Sequence, residues 1–252
     1  MKHYKMYRMK NSLRFPLLMV TGLLITSVSC TIPGYKPNIS VDARIICEVT
    51  ETDTLFGLGF YAYTNDQFSS VSVTYAGAQS SFYTLQPYNG DISDFSYETP
   101  VEKMSHKPPP SGNYLFDATY VGNNFYSTSD FLSPLYVLPP KITRSEYDPA
   151  MDQVVVSWGG IVNGDIIIFR LYDLQRNLLF SSQAVDKSVI IYTFGAKTPG
   201  WIGDAVPQSG QQYILETILY LFEPTGGGAL NTQADGRIDK IITWGTPASG
   251  AS

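Results

Sequence analysis

The feature that most restricts this chain is a period of two. Val71, Val73 and Tyr75 alternate with Ser72 and Thr74, which gives an extended strand one buried face and one wet face. Short runs of this kind recur between Gly, Pro, Asn and Asp turn signals, and helical periodicity is scarce. Strands are expected in the first half at Ala43–Val49, Leu55–Thr64, Ser70–Tyr75, Ser81–Leu85, Phe95–Glu98, Tyr114–Tyr120 and Leu135–Leu138. The second half offers Ile142–Glu146, Gln153–Trp158, Asp165–Tyr172, Leu178–Gln183, Ser188–Thr193, Tyr213–Phe222 and Lys240–Trp244. The pattern specifies an all-β fold of sandwich type.

Pro139-Pro140 punctuates the middle, because proline donates nothing to a ladder and biases its neighbour toward extended structure. The chain therefore reads as two tandem β-sandwiches, over 38–138 and 139–246, with a small polar tail at 247–252. Asn163-Gly164 fits a tight hairpin turn needing positive φ. The halves are related: Pro110-Ser111-Gly112-Asn113-Tyr114 parallels Gln208-Ser209-Gly210-Gln211-Gln212-Tyr213. In each, a Gly turn feeds a tyrosine that opens a long strand. The inward positions are then Tyr114, Phe116, Ala118 and Tyr120, and Tyr213, Leu215, Thr217 and Leu219.

These residues carry a resemblance. The second half resembles a fibronectin type III module: Pro139-Pro140 as its opening, Val154-Val155-Val156-Ser157-Trp158 as the strand with the core tryptophan, and Val206-Pro207 before Tyr213 as the tyrosine corner. The resemblance implies structural roles for Trp158 and Tyr213, the tyrosine burying its ring and fixing the turn through its hydroxyl. Two departures are the insertion-like loop Gly195–Pro207 and the Gly-rich stretch Thr225–Asp235. The first half shares the turn at Tyr114, lacks the tryptophan, and reads as Ig-like.

The N-terminus carries an address. Lys2, Lys5, Arg8, Lys10 and Arg14 precede an apolar run from Phe15 to Val28, closed by Ser29 and Cys30. That is a secretory signal over 1–29, too short to span a bilayer stably. A cysteine after the cut resembles the lipobox of bacterial lipoproteins, although Ser27-Val28-Ser29 lacks the usual leucine, a departure that Bacteroidetes-like groups tolerate. The resemblance implies an acylated (palmitate-bearing) Cys30, a spacer over 30–37 and an outer-membrane location. The alternative is an ordinary cleaved signal. No acidic run follows Cys30, which leans toward the periplasmic rather than the cell-surface face.

Losing the five leader cations leaves 12 basic residues against 22 acidic ones. No basic patch offsets phosphate charge, so nucleic acid is a poor partner. Of two cysteines and two histidines, an acylated Cys30 leaves Cys47 without a disulfide partner, and cleavage leaves His106 alone. Cys/His zinc sites and Ser-His-Asp or Cys-His nucleophile systems cannot be assembled in their usual forms from that inventory. Neither a cofactor nor a metal is expected.

The remaining motifs are weak. Gly57-Leu58-Gly59 is too short for a dinucleotide fingerprint, and a bulge or close sheet packing accounts for it. Gly226-Gly227-Gly228 reads as a flexible hairpin. Asn231, Asp235 and Asp239 offer oxygens but miss the EF-hand spacing, so a polar turn between strands is expected. Asp91, Asp94, Glu98 and Glu102 are acids on a loop-like stretch. Aromatics stand out as candidate ligand-binding rings: Trp201, Tyr126, Phe125 and Tyr88 lead, with Tyr83 and Phe131 beside them. The sequence thus reads as a non-catalytic envelope lipoprotein with a structural or protein-interaction role, and its partner as an envelope protein or a glycan. A glycan-binding surface lipoprotein of a polysaccharide-uptake system is the alternative, and a glycoside hydrolase a more distant one.

Overall fold

The computed structural model describes residues 37–77, 82–161, 163–224 and 231–245. In chain order its strands are β1 (Ile39–Val49), β2 (Thr54–Thr64), β3 (Phe68–Tyr75), β4 (Phe82–Thr84), β5 (Gln86–Tyr88), β6 (Asp91–Glu98), β7 (Gly112–Tyr120), β8 (Phe125–Leu132), β9 (Ile142–Asp148), β10 (Gln153–Trp158), β11 (Ile166–Tyr172), β12 (Leu178–Ser181), β13 (Val185–Asp186), β14 (Ile191–Phe194), β15 (Gln212–Phe222) and β16 (Thr232–Thr243). They form a long sheet, β12-β11-β15-β16-β1-β2-β6-β5 with β13 beside β11, and two smaller ones, β14-β10-β9 and β4-β3-β7-β8.

The result is an all-β molecule of two β-sandwiches. In the first, β1, β2, β6 and β5 face β4-β3-β7-β8. Phe60 lies 5.4 Å from Tyr114 and 5.9 Å from Phe116, ring centre to ring centre. In the second, β12, β11, β15 and β16 face β14-β10-β9. Trp158 meets Phe169 at 5.2 Å, and Phe180 stacks on Phe194 at 4.7 Å. Each such buried side chain contributes about 1.5–3 kcal/mol.

The sandwiches share the long sheet. β1 pairs antiparallel with β2 along its whole length, from Ile39↔Thr64 to Val49↔Thr54. Its other edge pairs in parallel with β16, from Ile45↔Ala234 to Val49↔Ile238. A parallel pair needs a long connection, and here the connection is residues 50–231, which carry every strand from β2 to β15. Ile45, Cys47, Ala234 and Leu219 point to the side that both smaller sheets cover. Asp42, Arg44, Glu48, Asp235 and Arg237 point to the other side.

Between β8 and β9 the chain crosses the covered side of this seam. A Cβ on Gly236 would lie 2.5 Å from the Val137 carbonyl oxygen and 2.7 Å from the Pro139 nitrogen, so only glycine fits beneath the crossing. The Gln233 amide donates to the carbonyls of Ser133 (3.0 Å) and Leu135 (2.8 Å). This corrects one expectation: Leu135–Leu138 is not a strand but an unpaired crossing that buries Val137.

Three further expectations change. β8 is a strand where none was read, because its Ser/Thr/Asp-rich sequence masks the pattern. Asn163-Gly164 does not close a hairpin: Gly164 has φ +113°, but β10 and β11 belong to different sheets. Asp235 and Asp239 lie within β16, not in a polar turn, because β1 and β15 pair with this segment from both sides. Gly226-Gly227-Gly228, the leader, Cys30 and the tail lie outside the described residues.

Candidate functional site

The densest chemistry is on the uncovered side of the long sheet. Alternation on β1 sends Ala43, Ile45 and Cys47 inward and Asp42, Arg44 and Glu48 outward. Gly59, opposite Arg44 on β2, makes room for it: a Cβ there would sit 2.9 Å from the guanidinium carbon. Arg44 donates through Nε to Asp235 (2.8 Å) and through Nη2 to Glu98 (2.7 Å). Arg237 donates through Nε to Asp235 (2.6 Å) and through both Nη atoms to Glu98 (2.8 Å each). Two arginines and two acids on β1, β16 and β6 thus tie the halves together, with Asp235 fully buried.

Burial raises the Glu98 carboxyl, but hydrogen bonds from Arg237 and the charges of both arginines outweigh it and hold the group at about 2. Arg237 is held well above its ordinary value: burial opposes this, but Asp235 and Glu98 outweigh it. Asp42 is different. Its carboxylate accepts the Thr232 N–H at 2.7 Å, yet burial pushes it up to about 7 against the pull of that bond and of Arg44. Glu48 is also pushed to about 7, by burial first and then by Asp239.

These contacts account for most of the acids singled out in the sequence. Glu98 is committed to two guanidiniums and is no proton donor at neutral pH. Both Asp235 oxygens face arginines, and Asp239 pairs with Arg176, so the suspected cation ligands are spent on cations of the protein itself. Asp91 accepts from the backbone and hydroxyl of Ser93, and Glu102 is exposed in a 3-10 turn. Cys47 is buried in the first core, and burial pushes its thiol up to about 12, away from thiolate chemistry. His106 is exposed, with Nδ1 3.8 Å from Asp53.

The tyrosines that open β7 and β15 do parallel work. Tyr114 is fully buried and donates its hydroxyl proton to the Pro110 carbonyl at 2.9 Å. Tyr213 is buried, and its hydroxyl accepts the Gln208 N–H at 2.8 Å. Trp158 is a core ring.

The four ring candidates do not converge. Trp201 packs against Phe180 (5.1 Å) and Trp244 (5.6 Å), and its indole N–H donates to the Gly195 carbonyl. It closes the end of the second sandwich. Tyr88 is exposed on β5, at the rim of the long sheet. Phe125 and Tyr126 are neighbours on β8 and point to opposite faces. Phe125 joins a surface that sequence reading did not assemble, the outer face of β4-β3-β7-β8. There the register lines up Phe82, Thr74, Leu115 and Ser129 in one row and sets Phe131 against Asn113 and Phe125 against Thr119. Phe82, Phe125 and Phe131 are 65%, 66% and 57% exposed.

A cleft of about 380 Å³ lies between β2 and the Pro-rich loop, lined by Phe56, Tyr83, Tyr97, Lys103 and Lys107 among others. Among the described residues neither lysine forms an ion pair, and no acid lines this cleft.

No protein-family model matches the sequence, and no curated protein matches it. Among solved structures, the FN1–FN3 domains of chicken CNTN1 align at 9% identity, TM-score 0.29, over 80% of this chain and 64% of that one. Dimeric latent PorU from Porphyromonas gingivalis aligns at 11% identity, TM-score 0.28, over 82% of this chain and 20% of that one. A bacterial ice-binding adhesin aligns at 11% identity, TM-score 0.28, over 83% and 66%. The chain thus spans less than two thirds of each of these structures.

Proposed function

We propose that this chain is a non-catalytic lipoprotein of the bacterial outer membrane, anchored through Cys30, that holds a protein partner against its first sandwich. The observation that carries this reading is the outer face of β4-β3-β7-β8. Three exposed phenyl rings and Leu115 stand there among short hydroxyl side chains, on a sheet that the shared seam holds to the second sandwich. Large rings on a rigid, weakly charged surface bury much area at low entropy cost. The charged face is less suited to contact, since its acids and arginines already satisfy one another.

A photo-crosslinking residue placed at Phe125 or Phe82 in cells is expected to trap a single partner, and Phe131→Ser is expected to weaken the adduct with the fold intact. Crosslinking only from the charged face, at Glu48, would overturn the reading. Anchoring is tested separately: Cys30→Ser moves the protein from the detergent to the aqueous phase, and its staying in the detergent phase would rule out the lipid. Protease shaving of intact cells, with a permeabilised control, decides which side of the membrane it faces.

The cleft beside Lys103 and Lys107 favours a second reading, a glycan binder. Two unpaired cations next to Tyr83 and Tyr97 suit an acidic sugar, which offers one apolar face and one carboxylate. Saturable binding of a uronic-acid oligosaccharide, lost in Lys103→Ala/Lys107→Ala, is the expected result. No binding at millimolar sugar would dismiss it.

A further inference from the structure

We propose that the β1–β16 seam is a shear clamp through which the chain carries tension, a function that rests on the tethered reading above. The two strands run in parallel. Ile39 and Thr232 therefore lie toward one end of the seam, and Val49 and Thr243 toward the other. A pull on the chain ahead of β1 and beyond β16 drags the strands past each other along their axes. Every hydrogen bond of the seam then takes load at once. Were the load applied at a shared end, the strands would peel apart one bond at a time.

Side chains rivet the same seam. Arg44 bonds Asp235 across it, Glu98 bonds both arginines, and Asp42 accepts the Thr232 N–H. β1 is also held along its full length by β2, and β16 by β15, in pairings that the same pull again loads along the strand axes. The force path runs from β1 directly to β16. The chain that links β1 to β16, with the crossing at Val137–Pro139, is therefore not drawn out until the clamp yields.

Single-molecule pulling on the purified full chain tests this with two handle pairs in a Cys30→Ser background. Cys47 is buried and does not compete for the handles. Asn38→Cys with Thr243→Cys loads the seam in shear, and Asn38→Cys with Asn231→Cys peels it from one end. Each pair is pulled once its thermal melt matches the parent. The expected result is a rupture force at least about two-fold higher in shear than in peel, since forced unfolding reports the barrier along the loaded path. No extension of one sandwich, about 340 Å for roughly 100 residues, precedes that rupture. Equal forces in the two geometries, or a sandwich-length step before the main rupture, would overturn the clamp. Because membrane attachment plays no part in the pull, failure here is separable from failure of the Cys30→Ser partition.

Discussion

The two faces of the long sheet are closed by different means. On one, Ile45, Cys47, Leu219 and Ala234 are covered by other sheets and, at Gly236, by the backbone of the crossing. On the other, among the described residues, no sheet lies above. Ile46 and Ile218 are nonetheless fully buried, because their register neighbours include Asp235 and Arg237, and long side chains cover apolar atoms with their stems while their heads pair. One face excludes water by layering, the other by a lattice of charge. The seam between the sandwiches is the line where both devices act on the same few residues.

The largest expected effect breaks the charged side. Asp235→Ala leaves the guanidiniums of Arg44 and Arg237 facing a void, and removing one partner from a buried ion network costs about 3–5 kcal/mol. Urea unfolding followed by tryptophan fluorescence is the measure. A loss under about 1 kcal/mol would mean that water reaches the network and that the face is closed less tightly than its burial implies. The covered side comes next. Gly236→Ala forces a Cβ onto the Val137 carbonyl, and overpacking of this kind costs about 1–3 kcal/mol. Because the crossing must lift, protease cutting between β8 and β9 is expected to accelerate as well. Unchanged cutting would show that the crossing moves without disturbing the seam.

Much of each face was legible in the sequence, and their junction was not. Alternation in Ala43–Val49 separates Ala43, Ile45 and Cys47 from Arg44 and Glu48, and the paired turns at Tyr114 and Tyr213 mark two similar sandwiches. Both signals are local. That Arg44 meets Asp235 depends on a parallel pairing between segments 191 residues apart, and no turn chemistry encodes such a partner. β8 went unread for a related reason: Ser127, Thr128, Ser129 and Asp130 look like a loop until β7 supplies the ladder. Gly59 was legible as a site of close approach, but not that the approaching group is Arg44. Phe125 was picked out as a ring, whereas the surface around it exists only through the register of four strands.

The last prediction distinguishes the faces by pH, since the covered face carries no ionisable group with a strong shift except Cys47. A carboxyl whose folded pKa lies above its unfolded value binds its proton more tightly in the native state. Its contribution is fully present below the unfolded value and is lost as pH rises through the folded one. Asp42 moves from an ordinary 3.8 to about 7, and Glu48 from 4.5 to about 7. Both therefore make the fold less stable between about pH 4 and pH 8. Glu98, held at about 2, acts in the opposite sense and only in acid, its contribution disappearing as pH falls below about 4.5. On these shifts stability is expected to peak near pH 4 and to fall by several kcal/mol, on the order of 5, by pH 8. Asp42→Asn keeps an oxygen for the Thr232 N–H and removes the titration, so it should remove about half of that slope while leaving the melt at pH 5 nearly unchanged. An undiminished slope in that variant would move the pH sensitivity to Glu48, at the opposite end of the seam. Asp42 would then be a carboxylate that the Thr232 N–H and Arg44 keep charged despite its burial.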